Sequence, residues 1–333
     1  MPAPDPQLIL GNSNSRFSGV TSTMLQVLEH QKDLIPLAVM GEHHLPEDIA
    51  HLSFREVAAL PRDRVRVFHA RRNDEMIQAL LLKRIFRQKL KIAFTSTAQR
   101  HHSSFTKFLI SQMDAVISTC QAAASYLDTK PDIIVPHGID TELYHPAEDR
   151  RAAWQSLGFP GKFGIGIFGR VRPSKGIDIL IEAAIPLLEE NPDFTIIICG
   201  ETTPKFQSYQ NKLEALVAEH GLSERIRFIG KQPFSRLPEL FRSMSITAAL
   251  SRNEGFGLTV LEAMSSGSAI LCSEAGAWKE VVENGTHGFC VPIDEVAATR
   301  AALKKLMDNP PALDAMGVAG REHVLKHYTS QRE

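Results

Sequence analysis

Residues 251–271 read SRNEGFGLTVLEAMSSGSAIL and set two glutamates, Glu254 and Glu262, around a knot of glycines. The apolar run SITAAL (245–250) leads into this stretch, SAILCS (268–273) leaves it, and LTVLEAM between them has helical character. Strand, glycine loop, helix and strand in that order form a βαβ unit, and such units build parallel sheets.

Outward from this stretch the same alternation fills the chain. GIGIFG (164–169), FTIIICG (194–200), IRFIG (226–230) and HGFCVP (287–292) read as further strands, with amphipathic helical patterns at 176–190 and 208–221. Toward the N-terminus QLILGNSN (7–14), LIPLAVM (34–40), VRVFHA (65–70), KIAFTST (91–97), DAVISTC (114–120) and DIIVPHG (132–138) repeat the pattern. The segment SGVTSTMLQVLEHQ after the first of these places Val20, Met24, Leu25 and Leu28 on one helical face. A connection marked by Pro and Gly, HPAEDRRAAWQSLGFPGK (145–162), separates the two series. The expected fold is therefore α/β, with two Rossmann-like doubly wound parallel-sheet domains, 1–150 and 151–333, facing across a cleft. In open parallel sheets ligands bind beyond the carboxyl ends of the strands, so function is expected in the glycine-bearing loops there.

The 333 residues are about twice the usual single-domain length. With 43% hydrophobic and 23% charged residues the composition is that of a folded soluble protein and excludes a disordered or fibrous chain. Cys120, Cys199, Cys272 and Cys290 show no metal-binding spacing and sit in apolar runs, as reduced thiols of a cytoplasmic protein do. MPAPDPQLIL lacks the basic and apolar regions of a signal peptide, and no apolar run approaches the ~20 residues needed to cross a bilayer. The net charge of −1 conceals an asymmetry: residues 62–107 hold twelve Lys or Arg against three acids, about +9. A field of that sign attracts anionic partners. Within it, ALLLKRIFRQKLKIAF (79–94) sets Leu81, Leu82, Ile85 and Phe86 against Lys83, Arg84 and Arg87. It is expected to form a basic amphipathic helix that lies on an anionic membrane surface or packs on its own sheet with a solvated charged face.

Two loops carry the chemistry. In GRVRPSKG (169–176) a strand ends in glycine, and Arg170 and Lys175 lie five apart where a helix opens. Two cations and a helix N-terminus form a site for a diphosphate. In the opening stretch Gly255 and Gly257 allow close backbone approach, while the two carboxylates suit the vicinal hydroxyls of a sugar or ribose. The same spacing also fits two surface acids stabilised by the helix dipole.

GRVRPSKG, EGFGLTVLEAMSSG (254–267) and GAWKEVVENGTHGFCVP (276–292), in that order, resemble the donor-domain signature of the family 4 retaining glycosyltransferases of the GT-B fold, whose hallmark is a pair of glutamates with seven residues between them. PHGIDTELYHP (136–146) resembles the family's interdomain segment, with His137 where Asn is commoner. The likeness spans residues 131–292. It implies that Arg170 and Lys175 hold the pyrophosphate of a nucleotide-sugar and that Glu262 binds its ribose. Glu254 and the amides of Gly255, Phe256, Gly257 and Leu258 would grip the donor sugar and distal phosphate, and the base would lie against Gly230 and Lys231. It implies no metal, because fixed cations neutralise the leaving diphosphate.

Residues 1–130 match the family loosely. Gly19 stands alone where members carry two glycines, and Ser96-Thr97 occupy the place of a common histidine, which leaves His102 as the candidate catalytic residue near the sugar, beside Glu254, Arg170 and Lys175. His69, Arg71 and Arg72 are expected to point at the same cleft. FTSTAQRHHSSFTKFLISQMDAVIST (94–119) and VFHARRNDEM (67–76) resemble bacterial lipopolysaccharide-core mannosyltransferases. That resemblance implies GDP-mannose as donor, an anionic glycolipid acceptor and a place on the inner face of the cytoplasmic membrane. A nucleotide-sugar epimerase or hydrolase shares the architecture and stays open as the alternative. No GxGxxG follows a strand, which argues against a dinucleotide oxidoreductase, and the near-neutral whole argues against nucleic acid as partner.

Overall fold

A computed structural model describes residues 5–15 and 19–333. The chain forms two compact units, one made of 1–138 and 330–333 and the other of 139–329. The division falls at Gly138, not near residue 150, and residues 330–333 belong to the first unit rather than the second. His137 and the main-chain N–H of Gly138 both bond the Glu333 carboxylate, at 2.7 and 2.9 Å, and His30 bonds Ser330 at 2.8 Å.

In the first unit the elements run β1 (Leu8–Gly11), α1 (Gly19–Leu34), β2 (Leu37–Met40), β3 (His51–Leu52), α2 (Phe54–Ala59), β4 (Arg66–Ala70), α3 (Asn73–Arg84), β5 (Leu90–Ser96), α4 (Ser104–Ile110), β6 (Ala115–Ser118), α5 (Gln121–Ala124) and β7 (Ile133–Ile134). In the second they run α6 (Arg150–Ser156), β8 (Phe163–Phe168), α7 (Ile177–Glu190), β9 (Phe194–Cys199), α8 (Gln207–Glu219), β10 (Ile226–Gly230), α9 (Leu237–Ser243), β11 (Met244–Ala249), α10 (Leu258–Ser265), β12 (Ala269–Ser273), α11 (Trp278–Val281), β13 (Gly288–Val291), α12 (Val296–Met307) and α13 (Pro310–His327). Every strand pair in both sheets is parallel.

Strand orders are β3-β2-β1-β4-β5-β6-β7 and β10-β9-β8-β11-β12-β13. In each sheet the order reverses beside its first strand, and at such a switch point the loops leaving two neighbouring strands open a crevice. In the second unit those loops follow β8 and β11, which are paired. They are the two loops singled out above.

Burial on both faces explains the continuous apolar runs of the second sheet. All six residues of β9 and of β11 are buried. Ile165, Ile167, Ile196, Ile198 and Ile246 pack with Leu180, Ala184 and Leu188 of α7 and Leu303 and Leu306 of α12. Each such side chain contributes about 1.5–3 kcal/mol on leaving water. In the first unit the face of α1 that packs on the sheet centres on Met24, Val27 and Leu28, while Val20 and Leu25 are half-buried.

The segment 79–94 departs from the expected single helix. α3 ends at Arg84, the chain turns through Arg87 at φ +53°, and β5 takes up Leu90. Leu82 is fully buried with Met76 and Ala79, whereas Leu81 and Ile85 are exposed. Lys83 and Lys91 both reach Asp114, at 2.6 and 3.1 Å, so part of the basic charge is paired locally. The first switch point is closed by Glu75, which is fully buried. Its carboxylate accepts from the main-chain N–H groups of Arg71 and Arg72 at 2.7 and 3.1 Å and from the Arg72 guanidinium at 2.8 Å. It also accepts, at longer range, from the N–H and hydroxyl of Ser13 in the loop after β1.

Candidate functional site

The site in the second unit is assembled from two loops held face to face. The first leaves β8 at Gly169, turns through a 3₁₀ segment, Pro173–Lys175, and enters α7 at Gly176. Gly176 has φ +66°, and a Cβ there would stand 2.0 Å from the Leu250 carbonyl oxygen. Only glycine permits both the left-handed turn and this approach of the two loops. The second loop runs from Leu250 to Gly257, whose φ of +88° and closeness to Trp278 exclude a side chain for the same reasons. The Trp278 indole N–H donates to the Gly257 carbonyl at 2.8 Å and fixes the entry to α10.

Arg252 ties the loops together. Its main-chain N–H donates to the Ser174 carbonyl at 2.9 Å, and its guanidinium reaches the Pro173 carbonyl, both oxygens of Asp178 at 2.8 and 3.1 Å, and Asp294. Burial alone would push the Asp178 carboxyl up. The hydrogen bonds from Arg252 and from the Tyr209 hydroxyl overcome it and leave the pKa lowered. Arg252 stood in the quoted stretch without a role; two loops distant in sequence give no signal that an arginine joins them.

Within this frame Lys175 donates to Oε1 of Glu254, and the Ser251 hydroxyl donates to the same oxygen at 2.9 Å. The two residues read as binding different parts of one ligand are thus paired with each other in this structure. Ser251 is held in turn by Ser273, whose hydroxyl donates to its carbonyl at 2.6 Å. Arg170 is exposed in the same loop. Arg172 lies beside it with a buried Nε that has no partner among the described residues, a third cation that the sequence reading passed over.

Glu262 lies on α10, and its pKa is pushed up to about 7. Burial is the main cause; the Tyr144 hydroxyl and the Lys175 charge pull the other way. Glu254 and Glu262 therefore differ in environment, the first ion-paired and the second desolvated. α10 begins at Leu258 with no side chain capping it, so its first amides are available to a ligand. Gly230 ends β10 at φ +66° with open space around it, and Lys231 is exposed beside it.

Gly19 and His102 belong to the first unit, whereas Arg170, Lys175, Gly230, Lys231, Glu254, Gly255, Phe256, Gly257, Leu258 and Glu262 all belong to the second. Gly19 is the first residue of α1, and among the described residues nothing lies within 4 Å of where a Cβ would stand. Arg16, Phe17 and Ser18 of the same loop lie outside the described residues. The His102 ring is 3.4 Å from the Ser96 hydroxyl, and partial burial lowers its pKa. His69 and Arg71 line a cavity of about 260 Å³ bounded by Val27 and Gln31 of α1 and by Glu333, within the first unit. The His69 ring bonds the Thr95 hydroxyl at 2.7 Å, and burial, followed by the Arg71 charge, keeps it neutral. Among the described residues no three His, Cys, Asp or Glu side chains are arranged to hold a metal ion.

Residues 149–323 match the family of glycosyl transferases group 1. The chain is 39% identical to the lipopolysaccharide core biosynthesis mannosyltransferase LpcC of Rhizobium leguminosarum bv. viciae, over 99% of this chain and 94% of that protein. Identity to LpsB of Rhizobium meliloti (strain 1021), which bears the same description, is also 39%, over 99% and 95%. Among solved structures, the C-terminal domain of a glycosyl transferase group 1 protein (LpcC) from Francisella tularensis covers 58% of this chain and 99% of its own, with 37% identity and a TM-score of 0.56. Anabaena Alr3699/HepE in complex with UDP covers 97% and 96% at 19% identity, with a TM-score of 0.83, which shows a common fold. The chain belongs to the group 1 glycosyltransferases, and its two parallel-sheet units have the GT-B fold.

Because the Glu262 carboxyl has a higher pKa folded than unfolded, its protonation favours the fold below the ordinary carboxylate range. That contribution is lost as pH rises from about 4.5 to about 7. Glu262→Gln abolishes this term. Urea denaturation across pH 4.5–8 is expected to show the variant gaining on the parent by up to about 3 kcal/mol through that window and by nothing further above it. A constant difference over the whole range would mean that Glu262 is not desolvated.

Proposed function

We propose that this glycosyltransferase moves a hexose from a nucleotide-sugar to a glycolipid with retention at the anomeric carbon, and that the pair is GDP-mannose and the lipopolysaccharide inner core. The observation that carries the class of acceptor and sugar is the likeness, over almost the whole of both chains, to two lipopolysaccharide core mannosyltransferases. The site chemistry agrees with it. Lys175 and Arg170 neutralise the diphosphate, Glu262 accepts from the ribose hydroxyls, and Glu254 and the amides of Gly255 to Leu258 hold the sugar and distal phosphate. Gly230 and Lys231 border the base. His102 and Gly19 are assigned to the sugar and phosphate by resemblance to the family.

In the reaction the acceptor oxygen forms its bond to the anomeric carbon on the face from which the phosphate oxygen departs. The departing phosphate takes the acceptor's proton. Charge builds on the diphosphate as the bond breaks, and cations already fixed in the loop lower the barrier without reorganising. The reaction on this reading needs no metal.

A thermal-shift screen against GDP-mannose, UDP-glucose, UDP-N-acetylglucosamine, ADP-heptose and NAD, with and without EDTA, checks donor and metal independence together. GDP-mannose is expected to stabilise the protein and to do so after chelation. Glu262→Ala and Lys175→Ala are each expected to weaken its binding by about 1–3 kcal/mol. Unchanged affinity in both variants removes the site assignment, and release of GDP without any acceptor points to the epimerase or hydrolase class instead.

The first unit carries a surface suited to the membrane that holds such an acceptor. Ile77, Leu81 and Ile85 project at four-residue intervals from α3 and its C-terminus, and Phe105 and Phe108 from α4; all five are exposed. Asn73 bonds Thr106 at 2.8 Å and holds the two helices side by side. Arg87 and Lys89, exposed just beyond α3, supply the cations that anionic lipid attracts. Among the described residues no helix is long and apolar enough to cross a membrane. Co-sedimentation with phosphatidylglycerol vesicles is expected, weakening in high salt and lost in Ile85→Glu/Phe108→Glu; binding indifferent to lipid charge and to this substitution contradicts the membrane contact.

A further inference from the structure

Cys272 and Cys290 lie in separate apolar runs of the sequence, and the structure sets them side by side. Their strands, β12 and β13, are parallel neighbours whose register pairs Leu271 with Phe289, Cys272 with Cys290 and Ser273 with Val291. Residues paired directly across two strands project from the same face of the pleat. Leu271, Phe289 and Val291 pack in the core shared with α7 and α12, so Cys272 and Cys290 project together from the opposite face. Both are free thiols, Cys272 fully buried and Cys290 half-buried. Neighbouring strands stand about 4.7–4.9 Å apart, inside the range of roughly 4.4–6.8 Å over which a disulfide joins two Cα atoms. Neither of the other cysteines offers a rival partner: Cys120 belongs to the first unit, and Cys199 ends β9, with β8 and β11 between its strand and β12.

We propose that Cys272 and Cys290 are the site of a reversible disulfide, formed by exchange with a small disulfide of the glutathione type, and that closing it disturbs the support of Glu254. The Cys290 thiolate, at the more exposed position, attacks one sulfur of the reagent and displaces one glutathione thiolate. The Cys272 thiolate then attacks the Cys290 sulfur of this mixed disulfide and displaces the second. One cystine and two glutathione thiols result: each cysteine proton passes to a departing thiolate, and the two electrons lost by the cysteines reduce the reagent. β13 is the edge strand of its sheet, and the Cys290 N–H donates to the Asn284 side chain at 2.6 Å rather than to a further strand, so β13 can yield. A disulfide brings its Cβ atoms to about 3.8 Å, closer than the strand spacing, so the bridge pulls β13 inward and strains the end of β12. A strained bridge is readily reduced again. The strain falls next to the site. Ser273, the residue after Cys272, donates to the Ser251 carbonyl at 2.6 Å, and the Ser251 hydroxyl donates to Glu254. The chain then runs against Glu254 itself, where a Cβ on Gly276 would stand 3.0 Å from that of the glutamate. The effect on the donor rests on the reading of Glu254 as a donor-binding residue; the bridge does not.

The test exposes the purified protein to oxidised glutathione at mildly alkaline pH, blocks the remaining thiols with iodoacetamide and maps the cysteines by mass spectrometry. GDP-mannose is titrated calorimetrically into the reduced form, the oxidised form and the oxidised form after dithiothreitol. Cys272 and Cys290 are expected in one cross-linked peptide, while Cys120 and Cys199 are alkylated. GDP-mannose is expected to bind roughly five- to tenfold more weakly to the bridged form, the scale of one hydrogen bond, and to recover with the reductant. Cys290→Ser is expected to keep the parental affinity and to be indifferent to oxidised glutathione. Alkylation of all four cysteines, or a glutathione adduct that stays on Cys290 without closing, overturns the bridge. A bridge that leaves the affinity unchanged, or a loss of affinity on oxidation that Cys290→Ser shares, overturns the coupling to Glu254. A reduced parent that does not bind GDP-mannose overturns the underlying reading of the donor, and the cysteine map still decides the bridge.

Discussion

Arg252 is the contact on which the site of the second unit depends. The parallel order of the sheet places the loop after β8 beside the loop after β11. Adjacency of strands does not close the loops above them. One guanidinium does so, by bonding the 3₁₀ turn, the first turn of α7 and Asp294 together, while Gly176 lets the backbones meet. Such a network, fully satisfied and partly buried, makes the geometry of Lys175 and Glu254 a property of the fold rather than of the ligand.

The pairing of Lys175 with Glu254 follows from this closure. Lys175 and Glu254, assigned to the diphosphate and the sugar on the proposed reading, are two opposite charges in a half-buried pocket, and leaving both unpaired would be expensive. Their mutual bond neutralises the pocket, and a nucleotide-sugar bearing both an anion and hydroxyls can replace each partner of each charge. A ligand with only one of these features leaves one charge without compensation. On the proposed reading the pair thus favours the complete donor over its fragments. Glu262, desolvated on α10, stands apart from this exchange and answers to pH instead.

Much of this was legible in the sequence because it is local. Strands buried on both faces leave continuous apolar runs such as FTIIICG, and left-handed turns leave glycines such as Gly176 and Gly257. The glutamate pair and the Arg170 to Lys175 loop belong to short ordered motifs. What could not be read depends on residues distant in sequence. Arg252 meets Asp178 from 74 positions away, and Tyr144 reaches α10 from more than a hundred. The run 79–94 misled because its hydrophobic spacing is continuous across a turn; nothing in the pattern marks Arg87 as the residue that adopts positive φ. The division at Gly138 rather than near 150 has the same origin, since the Pro- and Gly-rich connection lies beyond the point where tertiary contacts change sides.

The claim that the Lys175–Glu254 pair is a resting state opened by the whole donor is tested most directly with Glu254→Gln, titrated calorimetrically with GDP and with GDP-mannose. Removing the carboxylate releases Lys175, so the account predicts GDP binding tighter than in the parent, together with loss of the parent's preference for GDP-mannose over GDP. Equal weakening of both ligands would contradict it, because Glu254 would then support the pocket without competing for the lysine.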